Sequence, residues 1–348
     1  REGRAPRVRA VLILDMVGMG YHVHVCYHRD GAYLLTENFP PGVTWDVYVP
    51  RVSWRIIKRL RDRGIYWANR LLNRFGWFVN HPLDGWMDPA YVGYLRRTLA
   101  GRAPPAAVIA EYVWMTGAFA ALPEQTPKIV DTIDVFTERK KLCHSRGVPY
   151  HEFSLSAHAE IKGLNRSDAV LAIAREELAF FQSRLKAACS LYEPAFPARQ
   201  TRPKPPASRN ILFVASNNTA NVKAGAALLA AWAQLPPSGF ELHIVGLVCA
   251  VIQPLCTSDR VVFHGPVRDL DPHYEAACLS VVPLDVGTGM SIKTIESLSH
   301  GVPVLSTRTG ARGLERFLGR GIVTYERPEA LGPALQALLS DPGALPAA

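Results

Sequence analysis

Two doubly wound α/β domains are the fold class this sequence predicts, and three observations predict it. Short apolar segments alternate with helical ones through most of the chain. In the second half each apolar segment runs into Gly, Ser or Asn, as parallel strands do where they feed ligand-binding loops. A proline-rich, basic stretch, Pro194 to Arg209, interrupts the alternation and reads as an interdomain linker. At 348 residues the chain is too long for one ordinary core and suits two domains of about 150 residues each. The expected division is 1–198 and 199–348.

Composition bounds the partners. A hydrophobic content of 48% with 20% charged residues describes a packed globular protein and excludes disorder. No apolar run reaches the roughly 18 residues of a membrane-spanning helix. The six cysteines are scattered without CxxC spacing, so neither a zinc cluster nor a disulfide framework is indicated, and a reducing cytoplasm fits. A net charge of +9 points to anionic partners such as nucleotides, phospholipid surfaces or acidic glycans. No RNA- or DNA-binding module is visible, so nucleic acid is not expected.

In chain order, "RVRAVLILDMVGMG" reads as a helix through Val8, Val11, Leu12 and Met16, and "YHVHVCYH" as a strand. A strand usually opens such a domain, so a strand and loop ahead of this helix are expected to be missing from the sequence. "AAVIAEYVW", "PKIVDTIDVF" and "DAVLAIA" read as buried strands, with helices over Ser156 to Asn165 and in "REELAFFQSRL". Beyond the linker come "NILFVAS", a helix through Leu228, Leu229, Trp232 and Leu235, then "ELHIVG", "RVVFHG", a helix near "LDPHYEAAC", "LSVVPL" and "GVPVLST". Ligand loops are therefore expected after Ala215, Val245, Phe263 and Leu284.

The most informative stretch is "VGTGMSIKTIESLSHGVPVLST", Val286 to Thr307. It reads as a glycine loop, a helix start and a buried strand. Lys293 sits in the first helical turn, where the helix dipole favours a carboxylate. An anion at the helix N-terminus resolves the conflict: free N–H groups bind phosphate, Gly287 and Gly289 let the backbone approach it, and Lys293 adds charge. Lys293 and Glu296 share a helix face. A lysine for a diphosphate and a carboxylate for ribose hydroxyls describe a nucleotide-sugar site. A surface Lys–Glu pair worth a few tenths of a kcal/mol is the plainer reading.

The surroundings add a resemblance. "FVASNNTANVKA", "LHIVG", "VVFHGPVRDLDPHYEAA" and "VVPLDVGTGMSIKTIESLSHGVPVLSTRTGARGL" resemble the donor domain of GT-B glycosyltransferases, specifically the retaining family 4 group, or glycosyltransferase group 1. The likeness covers Asn210 to Thr324 well, and the N-terminal half loosely through "VDTIDVFTERKK" and "LNRSDAVLAIAREE". It implies two Rossmann-like domains facing a cleft: an acceptor-binding domain over 1–198 and a nucleotide-sugar-binding domain over 199–348. It implies binding residues Ser216, Asn217, Gly246, Phe263, His264, Gly265, Gly287, Thr288, Gly289, Met290, Ser291, Lys293 and Glu296, with Phe263 to Gly265 beside the base. No cofactor or metal is implied, so activity is expected in chelator. One departure stands out. The family often carries a second glutamate eight positions before the ribose glutamate, and here that position is Thr288. Asp285 or backbone groups are then left to contact the sugar. The lysine and arginine expected after the first donor-domain strand are not clearly matched; Asn217, Asn221 and Lys223 occupy that region.

A retaining transfer needs stabilisation of the departing nucleoside diphosphate, assigned to Gly287–Ser291 and Lys293. It also needs support for an oxocarbenium-like centre and a held acceptor. Asp134 is the expected acceptor-side carboxylate, with Glu111, Asp131 and Arg139 nearby; helix capping or surface charge is the competing reading for each. Asp269 or Asp271 in "RDLDPHY" reads as a helix cap rather than a metal site. His22, His24 and His28 read as an ordinary strand rather than a zinc site. "VGMGY" lacks the spacing of a dinucleotide fingerprint.

Arg51 to Phe78 sets eight basic residues against one acid, Asp62, with aromatic and aliphatic residues interleaved. It reads either as a surface for anionic lipid headgroups, giving peripheral contact at the inner face of a membrane, or as a helix packing its apolar stripe on its own sheet. The expected activity is glycosyl transfer in polysaccharide biosynthesis, from a nucleotide-diphosphate sugar to a glycan, lipid-linked or protein acceptor. The alternatives are a GT-B nucleotide-sugar epimerase or hydrolase, and a non-catalytic nucleotide-sugar or glycan-binding protein.

Overall fold

The computed structural model describes residues 13, 16–28, 43–147, 154–192, 208–287 and 289–341. Val8, Val11, Leu12, nearly all of the proline-rich stretch with the 198/199 boundary, and Thr288 lie outside the described residues. The chain divides into two compact units, Ala5–Pro194 and Ala195–Ala348.

The first unit holds a parallel pair, β1 (His24–His28) and β2 (Thr44–Tyr48), followed by α1 (Val52–Leu72) and α2 (Ala90–Leu99). A four-stranded parallel sheet follows, β3 (Val108–Glu111), β4 (Lys128–Asp131), β5 (Ala169–Ala172) and β6 (Ala188–Leu191), in that spatial order. Helices α3 (Arg139–Ser145), α4 (Ala157–Leu164) and α5 (Arg175–Gln182) intervene. Its core joins Val130, Val170 and Ala172 of the sheet to Phe119, Phe136, Leu155, Leu164 and Phe181.

Two strand expectations here are too long. "AAVIAEYVW" leaves the sheet after Glu111, because Tyr112 turns at φ 66° and Val113–Ala121 coils into a 3-10 helix. "PKIVDTIDVF" ends as a strand at Asp131, and Ile133 turns at φ 59°. The histidine strand forms as expected. His28 Nε2 accepts the Asp88 N–H at 3.0 Å, and His24 contacts Thr44 and Asp46. Among the described residues no three His, Cys, Asp or Glu side chains gather as metal ligands.

Helix α1 is moored from one side. Buried Asp88 accepts from Tyr48 Oη, from the N–H groups of Arg51 and Ala90, and from the Arg51 guanidinium. Burial alone would raise this carboxyl, but Arg51 and the N–H donors prevail and hold it at about 2. Further along, Asn69 bonds both the N–H and the carbonyl of Val79. Trp54 and Asn69 are the buried residues of the helix, so its apolar residues do not pack as a stripe on the sheet. No described helix is long and apolar enough to cross a membrane.

The second unit is an all-parallel sheet of β7 (Asn210–Val214), β8 (Glu241–Val245), β9 (Val261–Gly265), β10 (Ala277–Val282), β11 (Val304–Thr307) and β12 (Ile322–Tyr325). Helices α6 (Thr219–Ala233), α7 (Cys249–Ile252), α8 (Asp271–Ala276), α9 (Ile292–Ser299) and α10 (Leu331–Ser340) connect or flank the strands. Strand alternation explains the continuous apolar runs. Ile211 and Phe213 pack with Leu228, Trp232 and Leu335, whereas Leu212 and Val214 pack with Tyr274 and Val302. The order β12-β11-β10-β7-β8-β9 is doubly wound and reverses between β7 and β10. Ligands of such sheets bind at that switch point, beyond the carboxyl ends of the strands.

Candidate functional site

The loops leaving β7 and β10 meet at the switch point through side chains. Asn218 caps α6, its Oδ1 accepting the Asn221 N–H at 2.9 Å. Asn221 is buried; its Nδ2 donates to Ser216 Oγ at 2.9 Å, and its Oδ1 accepts from Lys293 Nζ. A second tie joins Lys223 Nζ to Asp285 Oδ2 at 3.1 Å. The residues after the first strand of the second unit therefore position the helix lysine and the Gly-loop aspartate. Asn217 stays exposed beside them.

The Gly loop is braced from behind. Arg312 donates to the Gly287 carbonyl at 2.8 Å, Thr307 Oγ1 to the Leu284 carbonyl, and Thr294 Oγ1 to the Gly310 carbonyl at 2.7 Å. At the α9 N-terminus the first turn carries no acid and Ser291 makes no side-chain cap. Ser291 is buried, and its Oγ has no hydrogen-bond partner among the described residues. Helix geometry leaves the first N–H groups there without intrahelical acceptors. Thus an orphaned hydroxyl, the positive end of the helix dipole and the Lys293 ammonium meet at one helix end, which suits an anion. Gly287, Gly289 and Met290 belong to the same loop, half-buried. A Cβ on Gly287 would meet only the Thr309 methyl, at 3.5 Å, so packing within the protein does not demand glycine there.

One turn further, Glu296 is buried and Tyr274 Oη donates to its Oε2 at 3.1 Å. Tyr274 is itself fully buried, with the His300 ring stacked 4.8 Å away. His300 Nδ1 donates to the Glu296 carbonyl at 2.7 Å, and Nε2 lies 3.3 Å from Asp271 Oδ1. The carboxylate thus has a set orientation. Of the two expected caps of α8, Asp269 accepts the N–H of Asp271, the first helical residue, at 3.1 Å, while Leu270 holds the cap position itself.

Gly246 and Gly265 close the ends of β8 and β9. Gly246 N–H donates to the Gly265 carbonyl at 2.7 Å, with φ values of 113° and 66°. Beside half-buried Phe263, His264 Nε2 lies 2.9 Å from His243 Nδ1 and its ring centroid 4.6 Å from that of His273. Burial first, then the neighbouring imidazoles, lowers the His264 pKa. This loop stands two strands from β7, about 10 Å across the sheet.

In the first unit, Asp134 Oδ2 pairs with Arg139 at 2.5 Å, and Arg139 lies over the Phe136 ring. Buried Glu160 secures this loop, accepting the Phe136 N–H at 2.8 Å and the Thr137 hydroxyl at 2.5 Å. Burial raises the Glu160 pKa against those bonds. Glu111, buried Asp131 and the left-handed residues Tyr112, Ile133 and Glu138 share this carboxyl end of β3 and β4. Strain concentrated at one sheet edge marks a functional candidate.

Sequence reading did not single out Tyr274, His300, Thr294, Thr307, Arg312 or Glu160, because each acts on a residue distant in the chain or on backbone.

The fold defines the class: a mixed α/β protein with parallel sheets that matches GT-B structures. Residues 208–341 match the family model described as Glycosyl transferases group 1. Among solved structures, sucrose-phosphate synthase from Thermosynechococcus elongatus shares 17% identity with a TM-score of 0.68, covering 97% of this chain and 84% of that one. Anabaena HepE in complex with UDP and glucose shares 16% identity with a TM-score of 0.64, covering 97% and 88%. WaaG, a glycosyltransferase involved in lipopolysaccharide biosynthesis, shares 15% identity with a TM-score of 0.62, covering 99% and 89%. No curated protein sequence matches the chain.

Proposed function

We propose that the protein transfers a sugar from a nucleotide-diphosphate donor to a glycan, lipid-linked or protein acceptor, with retention of anomeric configuration and without a metal. The observation that carries this reading is the α9 N-terminus, where the orphaned Ser291 hydroxyl and Lys293 stand at the helix start beside the oriented Glu296. In this reading the amides and Lys293 hold the diphosphate and take up the charge that develops as the glycosidic bond breaks. Glu296 accepts from the ribose hydroxyls, and Phe263, His264 and Gly265 border the base. Asp134 serves as the acceptor-side carboxylate. HepE binds UDP and glucose, which puts UDP-sugars first among the donors to test.

A second reading, a protein that binds nucleotide sugars without turnover, is favoured by one feature: Thr288 stands where the resembled family often carries its sugar-contacting glutamate. The test is release of nucleoside diphosphate from UDP-, GDP-, ADP- and dTDP-sugars, with and without a glycan and lipid acceptor extract, in EDTA. The transferase reading expects acceptor-dependent release from one donor, lost in Glu296→Ala, and the donor's anomeric configuration retained in the product. Release without acceptor would instead indicate a hydrolase, an epimeric nucleotide sugar without release an epimerase, and binding with the donor unchanged a binding protein.

A further inference from the structure

We propose that the outward face of α1 and the turn after it dock on the surface of an anionic lipid bilayer. Ile56, Ile57, Leu60, Trp67, Leu71, Phe75 and Trp77 are each between 53% and 69% exposed. With 100° per residue, Ile56, Ile57, Trp67 and Leu71 all fall within about 60° of Leu60, so they form one stripe. This is the side opposite Trp54 and Asn69, which moor the helix to its own unit. Burial in a soluble protein normally claims such a stripe, and a patch of this kind marks an interaction surface.

The charges select the partner. Arg59, Arg63 and Arg70 flank the stripe, and all are exposed. Arg55 and Arg74 extend the basic run, while Asp62, the one acid, is taken up locally by Lys58 and Arg61. A two-fold contact between copies would set these arginines against their own images. A bilayer bearing anionic headgroups satisfies both chemistries: aliphatic and Trp side chains enter the headgroup boundary, and the arginines reach phosphates beside them. The helix has no apolar span able to cross, so it lies in the interface. Each basic residue near such a surface contributes roughly fivefold to partitioning. The inference does not depend on the donor site.

The test is co-sedimentation of the full chain with vesicles of phosphatidylcholine alone and of phosphatidylcholine mixed with phosphatidylglycerol. Binding to the anionic vesicles is expected to exceed binding to the neutral ones by roughly tenfold or more. It is expected to fall about as far in Leu60→Ser/Trp67→Ser/Leu71→Ser and in Arg59→Gln/Arg63→Gln/Arg70→Gln. These positions are exposed, so circular dichroism and thermal unfolding should stay as in the wild type, and a control triple of exposed residues in the second unit should bind normally. Absence of binding to anionic vesicles, or binding that neither variant weakens, would overturn the proposal. So would reversible self-association, abolished by the apolar variant, in a chain that ignores vesicles.

Discussion

Gly287→Ala separates a ligand cradle from an ordinary surface loop. The φ angle at Gly287 is not in the left-handed region, and the added methyl would meet only Thr309 Cγ2 at 3.5 Å, an ordinary van der Waals contact. The folded protein therefore has room for it, and unfolding free energy should change by no more than about 0.5 kcal/mol. A diphosphate drawn against the loop backbone has no such room. A methyl group between amide and phosphate lengthens hydrogen bonds to an anion worth about 1.5–3 kcal/mol each, so donor affinity should fall by roughly tenfold to a hundredfold. Urea unfolding reads the first quantity and calorimetric titration of the nucleotide the second. Unchanged affinity in a folded variant would refute the cradle at this loop, whereas a large loss of stability would refute the packing argument.

Gly246→Ala should behave oppositely, because its φ is 113° and its Cβ would lie 2.1 Å from the Ala215 carbonyl oxygen; urea unfolding should show a loss of at least about 3 kcal/mol. Tyr274→Phe removes the hydroxyl that orients Glu296 and should cost about 2 kcal/mol of stability while weakening donor binding severalfold; equal stability and affinity would contradict the orienting role. His81 is buried, and burial together with the Lys140 charge lowers its pKa from the ordinary 6.5 to about 4. The unfolded chain therefore binds the proton more readily, so stability is full above about pH 6.5 and falls towards pH 4, by up to about 3 kcal/mol. Urea unfolding at both ends of that window should show the fall, and His81→Gln should flatten it.

The second unit was legible because its central strands are buried on both faces. "NILFV" and "ELHIV" are short, mainly apolar runs that give way to Ala-Ser and Gly, and "LSVV" is stopped by Pro283, so no competing pattern obscures them. The first unit was harder to read. β6 is a half-exposed run, "ACSL", with little apolar signal, and "VWMTGAFAA" is apolar all round, so period alone could not separate 3-10 helix from strand. Lys293 showed itself through its sign at a helix start. Its partner Asn221 lies 72 residues earlier, and Tyr274 lies 22 residues from Glu296; only the winding of the sheet brings such pairs together. Helix α1 has an amphipathic pattern that looks the same whether its apolar stripe faces a core or solvent. The mooring of its other side by Asp88 and Asn69 decides the matter.

Calorimetric titration of UDP, GDP, ADP and dTDP into the wild type, Lys293→Ala and Glu296→Ala tests the central claim most directly. The account predicts that one nucleotide binds the wild type and that both substitutions weaken it by roughly tenfold or more while the chain stays folded. Failure of every nucleotide to bind folded wild-type protein, or equal binding by all three proteins, would contradict it.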